Sequence, residues 1–334
     1  MLLFLALLIV CLLHKMEFSS QRDYANPLKT ENVLPLRGLC AIEIVLGHAY
    51  GSAPSGEILY LNNRIGVWVV GIFFLLSGYG LAKSLHTKEN YLQHFLRKRV
   101  WKIFLPVIIT YVIKVLQGTR NSFFFELILD WFVCEIIVIY LIWYVLYKNL
   151  EEKKAFIIML LLTVFLNVFG AMNGIGSRWY GSTACFLLGI LLERYETIVY
   201  DKYKENYKRI MIFTLAAFGT MSVMFILLSD VLWLYVLLIN MTCFFCCAVV
   251  YLLFMKIRLK SEILILCGKI SWEIYLTHWI VIKFCTAYFE KITPFMWMLF
   301  LFCGTVLLAM VVATIERLIT EVGRRIAKIA FEGI

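Results

Sequence analysis

Ala155-Phe156-Ile157-Ile158-Met159-Leu160-Leu161-Leu162-Thr163-Val164-Phe165-Leu166-Asn167-Val168-Phe169-Gly170-Ala171 contains no charged residue. The run is continuously apolar, without the alternation every second residue that marks a strand with one face in lipid. It therefore reads as a membrane-spanning helix. Similar runs recur near 2–13, 36–50, 65–82, 103–117, 127–147, 180–192, 210–228, 231–254, 264–288 and 294–315. Several fall short of the roughly 20 residues a perpendicular span needs, so flanking residues, tilt or local thinning complete them. Composition agrees. The 334 residues are 62% hydrophobic and 16% charged, whereas a soluble domain carries about a quarter charged residues. The fold class is all-α, a polytopic transmembrane helical bundle.

Residues 2–13 lack a basic residue ahead of them and a small-residue cleavage site before His14-Lys15. They read as a short extra helix rather than a signal peptide. The net charge of +10 could suggest nucleic acid, but its distribution points to a membrane. With the N-terminus outside and eleven crossings, 26 of the 32 basic residues fall in cytoplasmic segments. Only Arg64, Arg120, Arg178 and Lys291 fall opposite, with Lys114 and Lys283 inside spans. This bias is the positive-inside rule, and it places the C-terminus in the cytoplasm of a multi-pass cell-membrane protein.

Three segments follow: an N-terminal hydrophobic piece and linker (1–35), the membrane domain (36–315) and a basic tail (316–334). In the tail Ile319, Val322, Ile326 and Ile329 recur at helical spacing among Arg317, Arg324, Arg325 and Lys328. That pattern suits an interfacial helix on an anionic inner leaflet. The ten cysteines are scattered through apolar runs. Even Cys243-x-x-Cys246 reads as small apolar packing, with no disulfide framework and no metal site expected.

Arg37 and His48 are eleven residues apart in one apolar run, which on a helix is a rise of about 16 Å. With Arg37 at the membrane surface, the imidazole lies near the middle of a core about 30 Å thick. A group that titrates near neutrality at that depth suggests chemistry or transport. Glu43, five positions before His48, lies about 140° away around the helix and is no direct partner for it.

Four patterns in order resemble the acyltransferase-3 family of multi-pass membrane acyltransferases. Arg37 through His48 is similar to that family's Arg-x10-His signature. Gly71-Ile72-Phe73-Phe74-Leu75-Leu76-Ser77-Gly78-Tyr79 resembles its Phe-Phe-x-x-Ser-Gly-aromatic stretch. Phe95-Leu96-Arg97-Lys98-Arg99-Val100-Trp101-Lys102-Ile103-Phe104-Leu105-Pro106 is similar to its basic turn before a proline. Ser271-Trp272-Glu273-Ile274-Tyr275-Leu276-Thr277-His278 resembles its late Ser-Tyr-x-x-Tyr-Leu-x-His segment. In the basic turn, Lys102 stands where the family usually has a second arginine, keeping the charge but losing the planar fork.

The resemblance implies a ten-helix core and an O-acyltransferase moving an acyl group, acetyl above all, from acetyl-CoA to a hydroxyl of a surface or lipid-linked carbohydrate. It implies His48 as general base or acyl carrier and Arg37 as its positioning charge. Arg97, Lys98, Arg99 and Lys102 become contacts for the cofactor's phosphates, with Ser77 beside them. Read from the residues themselves, Glu135, four residues after Trp131, and Arg178 are ionisable groups near the membrane's outer half that could pair or bind an acceptor. His278 of the late segment is a further acceptor contact or a structural residue. Ser77-Gly78 reads first as a close helix-packing contact. A homo-oligomer, or a separate extracytoplasmic partner completing transfer, stays open. The rival from another class is a proton-coupled transporter built on His48, Glu43, Glu135 and His278. It calls for internal repeats, and no clear one is visible.

Overall fold

A computed structural model describes residues 1–20, 24–118, 130–228, 230–289 and 291–332. It contains thirteen α-helices among the described residues: α1 (Leu2–Leu13), α2 (Thr30–Ala49), α3 (Tyr60–Thr87), α4 (Tyr91–Leu116), α5 (Trp131–Asn149), α6 (Glu152–Met172), α7 (Ala184–Arg194), α8 (Glu196–Glu205), α9 (Tyr207–Leu227), α10 (Leu232–Lys256), α11 (Glu262–Lys269), α12 (Ser271–Tyr288) and α13 (Pro294–Glu332). Seven helical segments are long and apolar enough to cross a membrane. The chain is thus an all-α, multi-pass membrane bundle. The only sheet among the described residues is a two-residue antiparallel ladder joining Glu17–Phe18 to Ile257–Arg258.

Each expected apolar run coincides with a helix, and the boundaries differ in instructive ways. α2 begins at Thr30 rather than residue 36. Glu31 in its first turn suits the positive end of the helix dipole, and Pro35 in the second turn removes a single backbone bond. The run 264–288 is two helices, α11 and α12, meeting at Ile270. The tail after residue 315 is no separate helix; α13 runs through it unbroken, because no Gly–Pro signal interrupts the helical spacing of Ile319, Val322 and Ile326. Residues 127–129 of the fifth run, and Arg120, lie outside the described residues. α5 starts at Trp131, where the Asp130 carboxylate accepts the Val133 N–H at 3.3 Å. α8, whose lysines and glutamates hide any apolar run, was not legible as an element.

α2 is the most enclosed of the seven apolar segments, and glycine makes that possible. A methyl at Gly38 would overlap the Leu264 carbonyl oxygen, and one at Gly268 the Leu34 carbonyl oxygen, so α2 and α11 meet backbone to backbone. The same device joins α3 to α7: Gly78 lies against the Phe186 carbonyl and Gly189 against that of Leu75. Small residues allow the close approach on which helix association in lipid depends. At one end of the bundle, His86 ties three helices, reaching Glu193 of α7 at 2.8 Å and Glu152 of α6 at 3.0 Å.

Gly38→Ala and Gly78→Ala should each lower stability by about 1–3 kcal/mol, the usual cost of overpacking. Thermal unfolding of the detergent-purified protein reads this out. Gly66→Ala, whose methyl meets nothing within 4 Å, should leave the midpoint unchanged or raise it. Equal midpoints for all three variants would contradict the packing account.

Candidate active site

Steps of three and four residues return to the same side of a helix, so Arg37, Ala41, Ile44 and His48 form one stripe along α2. The first three line a cavity of about 970 Å³, and His48 stands one turn beyond it. That volume is at the upper end of the range for small-molecule sites. The polar lining gathers where α2 begins, with Lys29, Lys83, Lys88, Arg99, Lys102 and Lys269 joining Arg37 against Glu196, Glu273 and Glu316. Toward the other end the walls become apolar, through Ile44, Phe73, Phe132 and Ile136, with Trp272 and Tyr275 of α12 alongside.

The cations are held in place. Arg37 donates from Nη2 to the buried Ser271 Oγ at 2.8 Å, linking α2 to the first turn of α12. Arg99 donates from Nε and Nη2 to the Tyr91 hydroxyl, at 3.2 and 3.1 Å, and its guanidinium lies 5.9 Å from the Tyr140 ring centre. Lys102 lies one turn further along the same face of α4 and stays exposed. Arg97 is exposed and is not among the residues lining the cavity, since two residues turn a helix by about 200°. The Lys98 side chain lies outside those described. Ser77 lines the cavity, whereas the neighbouring Gly78 makes the α3–α7 contact.

At the cavity's polar end, Glu196 accepts hydrogen bonds from Asn26 Nδ2 (2.8 Å), the Tyr79 hydroxyl (2.9 Å) and Lys83 Nζ (3.0 Å). Burial raises its carboxyl, but the bonds from Asn26, Lys83 and Tyr79 hold it below the ordinary carboxylate value. Of these residues, Tyr79 closes the Phe73–Tyr79 motif, whereas Asn26, Lys83 and Glu196 belong to no motif. A signal was available for Lys83, because Gly80, Lys83 and Thr87 continue the Phe73–Ser77 stripe at helical spacing.

Beyond the apolar end, His48 Nδ1 lies 2.7 Å from His278 Nε2. Trp279, 43% exposed, places its indole 5.1 Å from the His48 ring. His278 is 1% exposed, so its ring edge is spent on His48. Glu43 lies on the other side of α2, where Asn62 Nδ2 donates to it at 2.5 Å. Glu135 is 6% exposed, and neither carboxyl oxygen has a hydrogen-bond partner among the described residues. Arg178, exposed on the turn Ser177–Trp179, therefore does not pair with it. Nearby, the Tyr275 hydroxyl donates to Asp130 Oδ1 at 2.7 Å.

A cationic end, an apolar end and a histidine one turn beyond it, aligned on one helix, form an arrangement able to hold an anionic carrier and direct its far end toward that histidine. A family model described as an acyltransferase domain, Acyl_transf_3, matches residues 36–314. The chain belongs to this family of acyltransferases. No curated protein and no solved structure shows significant similarity to it.

Replacing Glu196 should test how the polar end is held. A carboxylate depressed in the folded protein stabilises it above its unfolded value, and the contribution is lost as pH falls through the lowered value. Glu196→Gln should unfold at a lower temperature than the parent at pH 7, with the gap closing as pH drops below the ordinary carboxylate range. A gap that is absent at pH 7, or persists undiminished at pH 3, would contradict this.

Proposed function

We propose that this protein is an integral-membrane O-acyltransferase that moves an acetyl group from acetyl-CoA to a hydroxyl of a surface or lipid-linked carbohydrate. The observation that carries the reading is the stripe Arg37–Ala41–Ile44–His48, which joins the cationic cavity to the histidine pair along one face of α2. The positive-inside bias supports an orientation with the Arg37 end of that stripe toward the cytoplasm, where acyl-CoA is found. A highly charged nucleotide cannot enter hydrocarbon, so it stays among Arg99, Lys102, Lys269 and Arg37. The slim pantetheine arm runs past Ser77 toward Phe73 and Phe132.

In this reading His48 Nε2 removes the proton from the acceptor hydroxyl. The oxygen attacks the thioester carbonyl, the C–S bond breaks, and the proton passes from His48 to the departing thiolate. Atoms and charge balance, with CoA leaving as the free thiol. Glu135 and Arg178 belong to the acceptor side, and the unpartnered carboxyl oxygens of Glu135 are suited to receiving sugar hydroxyls. A separate extracytoplasmic partner or a second copy of the chain would extend transfer to acceptors beyond reach of the bundle.

His48→Ala should reduce acetyl transfer by roughly 10²–10⁴-fold, the range expected for loss of a general base. It should keep the thermal stabilisation that CoA gives the purified protein. Normal ester formation by this variant, or failure of CoA and acetyl-CoA to stabilise the parent protein at all, would overturn the reading.

A further inference from the structure

We propose that His278 is a positioning residue that fixes which nitrogen of His48 is free to accept a proton. The inference rests on the reading of His48 as the base. His278 Nδ1 lies 2.5 Å from the Tyr275 carbonyl oxygen and 3.3 Å from that of Ile274. Carbonyl oxygens only accept, so Nδ1 carries the proton, and a neutral His278 presents a lone pair at Nε2. That lone pair faces His48 Nδ1 at 2.7 Å, so His48 Nδ1 must donate. The free lone pair of His48 is thereby placed on Nε2, the only one of its nitrogens left for substrate.

The ring geometry supports a hydrogen bond rather than stacking. The rings are within 10° of parallel with centroids 4.8 Å apart. A nitrogen separation of 2.7 Å is shorter than two stacked rings allow, so the imidazoles meet edge to edge. An isolated neutral imidazole exchanges between two tautomers, one of which points its proton at the substrate. Here the two carbonyls are set by the helical turn preceding His278 on α12, so the backbone determines the tautomer of a side chain on α2. The indole of Trp279, 5.1 Å from His48, limits rotation of the same ring. This is the general pattern of a base oriented by a third group.

Gln and Asn separate this role from simple filling of space. The side-chain carbonyl of Gln reaches the position of Nε2 and can accept from His48 Nδ1–H, whereas that of Asn stops at the position of Nδ1. Acetyl transfer by purified His278→Gln should lie within about fivefold of the parent kcat, and that of His278→Asn should fall by roughly 10²-fold. Both should keep the parent KM for acetyl-CoA and equal stabilisation by CoA. Equal kcat for the two variants, whether parental or depressed, would overturn the proposal. His48→Ala, measured alongside, separates the two layers. If it stays active, the reading of His48 as base has failed; if it is inactive while Gln and Asn behave alike, only the role of His278 has.

Discussion

The site depends on the backbone-to-backbone contact between α2 and α11. Gly38 against Leu264 and Gly268 against Leu34 leave no room for side chains between the two helices. α12 starts two residues after α11 ends, so this contact also sets the distance from α2 to α12. Two bonds then span that gap at different heights, Arg37 to Ser271 and His48 to His278. Arg37 and His48, both on α2, are in this way each matched to a partner on one neighbouring helix. Burying such groups in lipid is costly unless they are paired, and the pairing is what makes their depth tolerable.

In the proposed function, the cavity resolves a conflict of solvents. An anionic carrier needs cations and water, whereas an acyl group leaving a thioester needs protection from water. The lining divides accordingly, with the lysines and arginines at one end and Ile44, Phe73 and Phe132 at the other. Glu196 keeps Lys83 in place through a bond at 3.0 Å, while Arg99 is held by a phenol rather than a carboxylate. Arg99 thus retains its full charge toward the cavity without an acidic competitor on its own hydrogen bonds.

Much of this was legible in sequence, for reasons that differ by residue. Long uncharged runs identify spanning helices because lipid leaves few alternatives. The Arg37–His48 separation was readable because helical rise is fixed and α2 is unbroken between them. The exclusion of Glu43 followed from the same geometry, and Asn62 now accounts for that carboxylate. The partnership of His48 with His278 was not readable, because 230 residues separate them and periodicity carries no information on which helices adjoin. For the same reason the supposed pairing of Glu135 with Arg178 could not be judged until the fold was known. Within the basic turn, helical geometry places Arg99 and Lys102, and not Arg97, on the face that lines the cavity. The start of α2 and the continuation of α13 differed from expectation because hydropathy marks the apolar part of a helix and not its polar ends.

The most direct test is a structure of the protein with acetyl-CoA bound. The account predicts the nucleotide phosphates within hydrogen-bond distance of Arg99, Lys102 or Lys269, and the pantetheine arm lying between Ser77 and Phe132. The thioester carbonyl should reach the Ile44 turn, with His48 Nε2 facing the acetyl group. Acetyl-CoA held outside the cavity, or its acyl end directed away from α2, would contradict it.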